Sequence, residues 1–272
     1  MKTRIVMLAV ALLSILPSWA FRADTLEIAS RYIASPAKAT VLIPDSKTPG
    51  AKFPTVYVLH GYGGDYKSWS QITVPNMGEL ADQYGMIFVM PDGRDSWYWD
   101  SPVDPGMQME SFFVKELVPT VDATYPTITD RSQRAITGLS MGGQGSLYLA
   151  TRHPDIFGNA GSMSGGVDIR PFPKSWKMAN WLGSYEDNKD LWEKTAVINM
   201  VPQMKDANIN ITFDCGVDDF FADVNNNLHQ TMVAAGVPHD YTSRPGNHSH
   251  AYWRNSFLYH LLFFNQNFKA KK

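Results

Sequence analysis

A serine flanked by glycines is the feature of this sequence that most directly suggests a chemical reaction. Residues 138–143 read Gly-Leu-Ser-Met-Gly-Gly, which contains the pattern G-x-S-x-G. This pattern is typical of a nucleophile elbow, a tight turn that leads from a strand into a helix. The glycines leave room for the turn, and the N-terminus of the helix favours negative charge that develops beside the serine. We therefore predict that Ser140 is a nucleophile, although a glycine-rich turn without chemistry would show the same pattern.

A second glycine-rich segment could stabilise the negatively charged intermediate of acyl transfer. The residues His60–Gly64 read His-Gly-Tyr-Gly-Gly and directly follow an apolar run. A loop of this kind can turn a backbone N–H group toward the nucleophile, as an oxyanion hole requires. We predict that the N–H groups of Tyr62 and Met141 form this hole. We assign His60 no role in proton transfer.

A serine nucleophile of this type needs an acid and a histidine base, in the chain order Ser, acid, His. His248 lies in a short segment after an expected strand, where it would accept the proton of the serine. A buried carboxylate would fix the tautomer of its imidazole. Asp219 is the preferred carboxylate because it lies further into its loop, Asp218 is the second choice, and Asp214 could be a structural partner. His250 is the rival base, and otherwise lines the pocket.

The composition excludes several other classes of protein. Of the 272 residues, 44% are hydrophobic and 18% are charged, which excludes a disordered or repetitive chain. The formal charge is -2 and there is no basic run, so we expect no nucleic-acid partner. Cys215 is the only cysteine, which excludes a disulfide framework and a cysteine-based zinc site. His248 and His250 have no third ligand at a matching spacing, so we expect no metal.

The predicted secondary structure places these residues at one edge of a sheet. Buried strands that alternate with helices predict an α/β fold, with a mostly parallel central sheet and helices on both faces. The expected strands are 25–34, 38–44, 55–59, 86–90, 135–137, 159–164, 210–213 and 241–244. The expected helices are 76–84, 110–124, 142–152, 219–235 and 251–267. Each predicted catalytic residue follows a strand, and ligands bind at the carboxyl ends of strands in such sheets. Residues 167–195 predict a lid-like insertion in a single domain of residues 21–272.

The first twenty residues have the pattern of a secretory signal peptide. Lys2 and Arg4 precede an apolar run over residues 5–16, and small residues follow at Ser18 and Ala20. The run of about 12 residues is too short to cross a membrane. We therefore predict cleavage after Ala20 and an exported bacterial protein, either periplasmic or secreted. Two N-glycosylation sequons, at positions where a glycan would be disruptive, also favour a bacterial export route.

Several landmarks together resemble one protein family. The mature chain resembles the esterase D and feruloyl esterase branch of the α/β-hydrolases over nearly all of its length. The matching segments are His60–Gly64, Pro91–Gly93, Ser96–Pro102, Glu116–Pro119, Gly138–Gly143, Asp214–Gly216, Asp219–Phe220, Pro245–His248 and Tyr252–Trp253. The resemblance implies an α/β-hydrolase fold, with Ser140 as nucleophile, Asp219 as acid and His248 as base. It also implies that the protein needs neither a metal nor an organic cofactor.

The resemblance implies a serine ester hydrolase that works through an acyl-enzyme. Members of the family cleave feruloyl or acetyl esters on plant polysaccharide, S-formylglutathione or short-chain esters, or they transfer mycolic acids. Export argues against glutathione chemistry and favours feruloyl or acetyl esters on polysaccharide. The alternatives are a short-chain carboxylesterase, a thioesterase similar to S-formylglutathione hydrolase, an acyltransferase, and a carbohydrate-binding protein without activity. The expected partner is a small-molecule or polysaccharide-linked ester, with no membrane partner after cleavage of the signal peptide.

Five side chains are predicted to contact the substrate. Trp97, Tyr98 and Trp99 follow a strand at the ligand end, where flat rings could stack on a sugar or a phenolic acyl group. Packing of the loop is the alternative for these rings. Gln144 and His250 stand where similar sequences often carry an aromatic residue and a tryptophan, respectively. We therefore expect them to lie near the pocket and to influence which acyl group it accepts.

Overall fold

Eight strands form one mixed sheet in the part of the chain that the structure, a computed structural model, describes: residues 21–46 and 48–270. The strands are β1 (Arg22–Ile28), β2 (Ala37–Ile43), β3 (Thr55–Leu59), β4 (Ile87–Pro91), β5 (Arg134–Gly138), β6 (Asn159–Met163), β7 (Asn210–Gly216) and β8 (Asp240–Arg244). Their order across the sheet is β1-β2-β4-β3-β5-β6-β7-β8. The predicted signal peptide, residues 1–20, lies outside the described residues.

The sheet is mostly parallel, as the apolar runs predicted. The pairs from β4 through β3, β5, β6 and β7 to β8 are all parallel, whereas β1 and β2 add to one edge in antiparallel pairs. The central strands are buried on both faces, and every residue of Thr55–Leu59 is buried. A strand covered on both faces reads as a continuous apolar run, and this is the pattern seen in the sequence.

Helices cover both faces of the sheet and bury a separate hydrophobic core on each. The helices are α1 (Met77–Tyr84), α2 (Met109–Phe112), α3 (Val118–Thr124), α4 (Met141–Arg152), α5 (Met178–Leu182), α6 (Lys189–Thr195), α7 (Val201–Ala207), α8 (Ala222–Ala235) and α9 (His250–Lys269). Because side chains alternate along a strand, Tyr57 packs in the core that contains α4 and α8. Its neighbour Val58 packs in the opposite core, which contains α1 and α9. The structure thus confirms the predicted α/β fold.

None of the helices within residues 21–46 and 48–270 is long and apolar enough to cross a membrane. The longest, α9, has 20 residues, but one side of it carries polar and charged groups. Its other side is buried and supplies Phe257, Leu261 and Phe264 to one of the two cores. The last helix of the chain is therefore part of the packing of the whole sheet.

Two of the predicted elements are shorter in the structure because side chains bond to the nearby backbone. The helix predicted from residue 219 begins at Ala222, since a carboxylate oxygen of Asp219 accepts the N–H of Phe221 and holds a loop there. The strand predicted over 25–34 ends at Ile28, and the hydroxyl of Ser30 then accepts the N–H of Tyr32. Such local bonds compete with regular structure.

The insertion at residues 167–195 forms two short helices, α5 and α6, rather than a strand. Its three tryptophans have different surroundings. Trp192 is fully buried, and the indole N–H of Trp181 donates to the carbonyl of Asp95 at 2.7 Å. Trp176 lies at the cavity described below. The buried residues of the insertion, Trp192 among them, thus join the core on one face of the sheet, and Trp176 presents its ring toward the carboxyl edge of the sheet.

Candidate active site

Ser140 lies in a strained turn between β5 and α4. Its backbone dihedral angles are φ 56° and ψ −118°, a conformation that residues with a side chain rarely adopt. The flanking glycines are needed because the backbone passes close on both sides. A Cβ atom on Gly138 would lie 2.6 Å from the carbonyl oxygen of Gly142, and one on Gly142 would lie 2.6 Å from that of His60. The turn that the sequence pattern predicted is therefore present.

Ser140, His248 and Asp219 form a continuous chain of hydrogen bonds. The Nε2 atom of His248 lies 2.9 Å from the Oγ of Ser140, and its Nδ1 lies 2.9 Å and 3.0 Å from the two carboxylate oxygens of Asp219. The Nδ1–H group donates to the carboxylate, which leaves Nε2 free to accept the serine proton. The side chain of Asp219 is 0% exposed and that of His248 is 17% exposed. The carboxylate is therefore shielded from water while the imidazole remains accessible.

The three candidate aspartates have clearly different surroundings. Asp219 is the one that faces His248, and its carboxylate also accepts the N–H of Phe221 at 2.8 Å. Asp218 is exposed to solvent. Its backbone N–H donates to the carbonyl of Gly246 at 2.9 Å. This bond connects the acid loop, residues 217–221, which carries Asp219, to the base loop, residues 245–249, which carries His248. The geometry therefore favours Asp219 over Asp218.

Asp214 belongs to a second, fully internal network. One of its carboxylate oxygens accepts the Nε2–H of His260 at 2.9 Å, and the other accepts the hydroxyl of Ser256 and pairs with Arg244. The Nδ1 of His260 in turn accepts the hydroxyl of Thr137 at 2.8 Å. His260 is 1% exposed, so no substrate reaches it. This network fastens α9 to β5 and β7, which is the structural role considered for Asp214.

Replacing Asp214 with asparagine is expected to destabilise the fold while sparing the reaction. Loss of one partner from a buried charged network costs about 3–5 kcal/mol, because Arg244 and His260 lose the charge that they face. Urea denaturation should therefore show a large fall in the free energy of unfolding, and the folded fraction should retain the wild-type kcat. Asp218→Asn, at an exposed site nearby, is the control and should be nearly neutral. An unchanged unfolding free energy in Asp214→Asn would contradict the structural role.

Two backbone N–H groups are available for the predicted oxyanion hole. Met141 is the first residue of α4, so its N–H has no partner within the helix. Among the described residues, the N–H of Tyr62 has no hydrogen-bond acceptor. The turn that carries Tyr62 is closed by a hydrogen bond from the N–H of Gly64 to the carbonyl of Gly61 at 3.0 Å. The hole itself remains a prediction.

His60 fixes this turn through both of its ring nitrogens. Its Nδ1–H donates to the carbonyl of Gly61 at 2.7 Å, and its Nε2 accepts the N–H of Gly93 at 2.8 Å. The ring is 2% exposed and both of its nitrogen atoms are occupied. These contacts are consistent with the expectation that His60 takes no part in proton transfer.

A cavity of about 390 Å³ opens onto Ser140 and His248. Glycine-rich and aromatic segments line it, together with a few polar side chains. The lining residues are His60, Gly61, Tyr62, Gly63, Gly64, Ser68, Trp69, Ile72, Thr73, Leu139, Ser140, Trp176, Phe220, His248, His250 and Trp253. Trp176 and Phe220 form a stacked pair, with ring centroids 5.7 Å apart and an interplanar angle of 24°. A flat apolar surface therefore lies close to the candidate nucleophile.

His250 lines the cavity, as predicted, but does not bond to Ser140. Its Nδ1 is 2.9 Å from the hydroxyl oxygen of Thr73, and its ring packs edge-on against Trp253. Partial burial lowers the pKa of His250, and the nearby Arg254 and His248 lower it further. His250 therefore carries a neutral imidazole near pH 7. The geometry favours His248 over His250 as the base.

The prediction that Trp97, Tyr98 and Trp99 contact substrate is wrong. Their exposed fractions are 1%, 0% and 1%, and none of them lines the cavity. Trp97 and Tyr98 both have a positive φ, which turns the chain after β4 so that the rings point into the core. The Trp97 and Trp99 rings stack with centroids 5.5 Å apart, and the Tyr98 hydroxyl donates to the carbonyl of His60. Packing, the alternative considered for these rings, is what the structure shows.

Gln144 also lies away from the cavity. It is fully buried in α4, where its amide Nε2 lies 3.5 Å from the carbonyl of Thr195. Position 144 is one turn into the helix, and that side of the helix faces the core rather than the ligand edge. The predicted contact of Gln144 with substrate is therefore wrong.

Several residues that line the cavity were not predicted, because they lie in segments without a recognisable sequence motif. Ile72 and Thr73 belong to a π-helical turn, Trp69–Thr73, that follows the glycine-rich loop and has no sequence signature. Phe220 could have been found, because it directly follows Asp219 in a loop that must reach His248. Trp176 could have been found only as one of several tryptophans in the insertion. Local unwinding to a π-helix often accompanies a functional site.

Neither a reactive thiol nor a metal site is found beside the cavity within the described residues. Burial raises the pKa of the Cys215 thiol, so the group stays protonated and is a poor nucleophile. Within residues 21–46 and 48–270, no group of three or more His, Cys, Asp or Glu side chains is arranged to hold a metal ion. The arrangement at the cavity can therefore attack a carbonyl group through Ser140, with proton transfer by His248.

The chain is similar to a family and to several proteins that are named as esterases. A family model described as "Putative esterase" matches residues 30–264. An esterase of Mycobacterium tuberculosis is 26% identical over 76% of this chain, and the chain spans about half of its length (51%). An acetyl esterase of Caldicellulosiruptor saccharolyticus is 26% identical, with 73% of this chain and 78% of the relative covered. The solved structure of a ferulic acid esterase superposes with a TM-score of 0.79 at 27% identity, covering 92% of this chain and 99% of the other.

Proposed function

The chain belongs to the esterase family, and we propose that it is an exported serine esterase that hydrolyses feruloyl or acetyl esters on plant polysaccharide. The observation that carries the proposal is the hydrogen-bonded chain from Ser140 through His248 to the buried Asp219, at the floor of an open cavity. A base within 2.9 Å of a serine hydroxyl, itself oriented by a carboxylate, is the arrangement that activates serine for acyl transfer.

The proposed mechanism has two steps. In the first, the Ser140 oxygen attacks the ester carbonyl while His248 accepts its proton, and the Asp219 carboxylate stabilises the imidazolium that forms. The N–H groups of Tyr62 and Met141 would bind the oxyanion, and His248 would then protonate the leaving alcohol. In the second step, His248 removes a proton from water, which attacks the acyl-enzyme. The acid then leaves and Ser140 regains its proton.

Two observations support an acyl ester on a carbohydrate as the substrate. Relatives include proteins named acetyl esterase and ferulic acid esterase. Trp176, whose ring lines the cavity, offers a flat surface on which a phenolic ring or a sugar could lie. Export is supported by the signal-peptide pattern of residues 1–20, and N-terminal sequencing of protein recovered outside the cytoplasm would test cleavage after Ala20.

The experiment that tests the proposed substrate measures acid release from acetylated xylan and from feruloylated arabinoxylan. Wild type and Ser140→Ala are incubated with each polymer, and the released acids are separated by chromatography. We expect acetate or ferulate to be released by wild type alone. Release of neither acid, combined with cleavage of p-nitrophenyl acetate, would contradict the polysaccharide substrate and leave a general short-chain esterase. Failure to cleave any ester would contradict the esterase activity itself.

A further inference from the structure

A continuous series of contacting aromatic rings connects the hydrophobic core to the candidate base. Trp99 stacks on Trp97, Trp97 packs against Trp176 at 5.9 Å, and Trp176 stacks on Phe220 at 5.7 Å. Phe220 in turn lies over the imidazole of His248, with centroids 4.2 Å apart and an interplanar angle of 35°. The members of this ring series come from the turn after β4, the insertion, the acid loop and the base loop.

We propose that Phe220 is a positioning residue for His248, held in place by Trp176 and, behind it, by Trp97. The inference rests on the proposed esterase function, in which His248 is the base. It gives a role to the tryptophans after β4 that the sequence had assigned to substrate, because they support the base from the core.

The two hydrogen bonds of His248 leave one motion of its ring poorly restrained. They hold Nδ1 and Nε2, whose N–H and lone-pair directions lie close to the line through the two atoms, so they resist a small rotation of the ring about that line only weakly. Larger rotations move these directions out of line and weaken both bonds. Phe220 on the face of the ring, and Trp253 edge-on at 4.8 Å, oppose this rotation.

The face of an aromatic ring also favours the charged form of the base. During acyl transfer His248 becomes an imidazolium, and a cation over an aromatic face is stabilised by the ring quadrupole. The neutral imidazole gains much less from the same contact. Phe220 would therefore stabilise the transition state more than the free enzyme, which is the difference that raises kcat.

Phe220 keeps its place although it is 52% exposed. Trp176 stacks on it, and Phe221 packs against it with centroids 4.6 Å apart. Trp176 is itself anchored, because its carbonyl accepts the indole N–H of Trp97 at 3.4 Å and its ring contacts Phe172. A half-exposed ring with so many aromatic partners is more restrained than its exposure suggests.

The test compares Phe220→Leu with Phe220→Tyr and with a matched control, Phe172→Leu. Phe172 belongs to the same aromatic cluster, through Trp176 and Phe221, but its ring does not contact His248. Kinetic constants are measured with p-nitrophenyl acetate, butyrate and hexanoate, and thermal unfolding is recorded for each variant. We expect Phe220→Leu to lower kcat by about 3- to 10-fold, by the same factor on all three esters, with KM changed less than about twofold. Phe220→Tyr should restore kcat, and Phe172→Leu should retain it.

Three results would overturn the inference. A rise in the KM of Phe220→Leu that becomes larger with acyl length would make Phe220 a substrate contact rather than a support for the base. An equal fall of kcat in Phe172→Leu would show that the effect comes from general packing of the aromatic cluster. Wild-type kcat in Phe220→Leu would show that the ring is dispensable. Inactivity of the wild-type enzyme on all three esters and on both polysaccharides would instead contradict the proposed function.

Discussion

Replacing Ser140 with alanine should lower kcat on any cleaved ester by about 10⁴-fold or more while leaving the fold intact. Within the described residues the hydroxyl of Ser140 is the one nucleophile hydrogen-bonded to His248, at 2.9 Å, so its loss removes the acyl-enzyme route altogether. The activity that remains would come from the oxyanion hole and from substrate binding. Initial rates with p-nitrophenyl acetate at saturating substrate, beside circular dichroism of the same preparation, measure both effects.

Ser68→Ala is the matched control for this experiment. Ser68 also lines the cavity, but its hydroxyl is bonded to Asp65, as the acceptor of a backbone N–H at 2.9 Å and the donor to a carboxylate oxygen at 3.1 Å. We expect Ser68→Ala to keep kcat within a few-fold of wild type. Retention of most activity in Ser140→Ala, with contaminating esterases removed, would show that another group attacks the ester and would overturn the mechanism.

Asp219→Asn is expected to lower kcat by about 10³- to 10⁴-fold with little change in KM. The asparagine amide can donate to Nδ1 of His248, which favours the tautomer with the proton on Nε2. That tautomer cannot accept the serine proton. The neutral amide also fails to stabilise the imidazolium, and the site is too well buried for water to replace the lost charge. Steady-state kinetics of the purified variant measure this loss.

Asp218→Asn separates this effect from a general change in the acid loop. The carboxylate of Asp218 is exposed to solvent. The contact of Asp218 with the base loop is made by its backbone N–H, which the substitution keeps. Activity close to that of wild type is therefore expected. The opposite pattern, with an active Asp219→Asn and an inactive Asp218→Asn, would reverse the assignment of the acid.

The sequence was most informative where chemistry restricts the choice of residue. The elbow around Ser140 could be predicted because only glycine allows the backbone to pass so closely at positions 138 and 142. The mostly parallel sheet could be predicted because strands such as Thr55–Leu59 are buried on both faces and are almost entirely apolar. Asp219 could be preferred to Asp218 from its position in the loop, and the structure places it against His248.

The direction of a side chain outside regular elements could not be predicted in this way. Trp97 and Trp99 have the right composition for a ligand site, yet the positive φ angles in their turn direct the rings inward. Two of the rings that line the cavity instead, Trp176 and Phe220, meet only after the insertion folds over the acid loop. Contacts between segments far apart in sequence decide these positions, and no local pattern records them.

The separation of the catalytic groups along the chain also has a consequence for how the protein folds. Ser140 and His248 are 108 positions apart, and α9, the helix that follows His248, completes one of the two cores. Contacts at such separation form slowly, because the entropy of closing long loops is lost before the contacts form. A refolding chain would therefore regain esterase activity only when its last strand and helix have docked. Recovery of activity therefore reports the docking of β8 and α9, whereas recovery of helical signal reports helix formation anywhere in the chain.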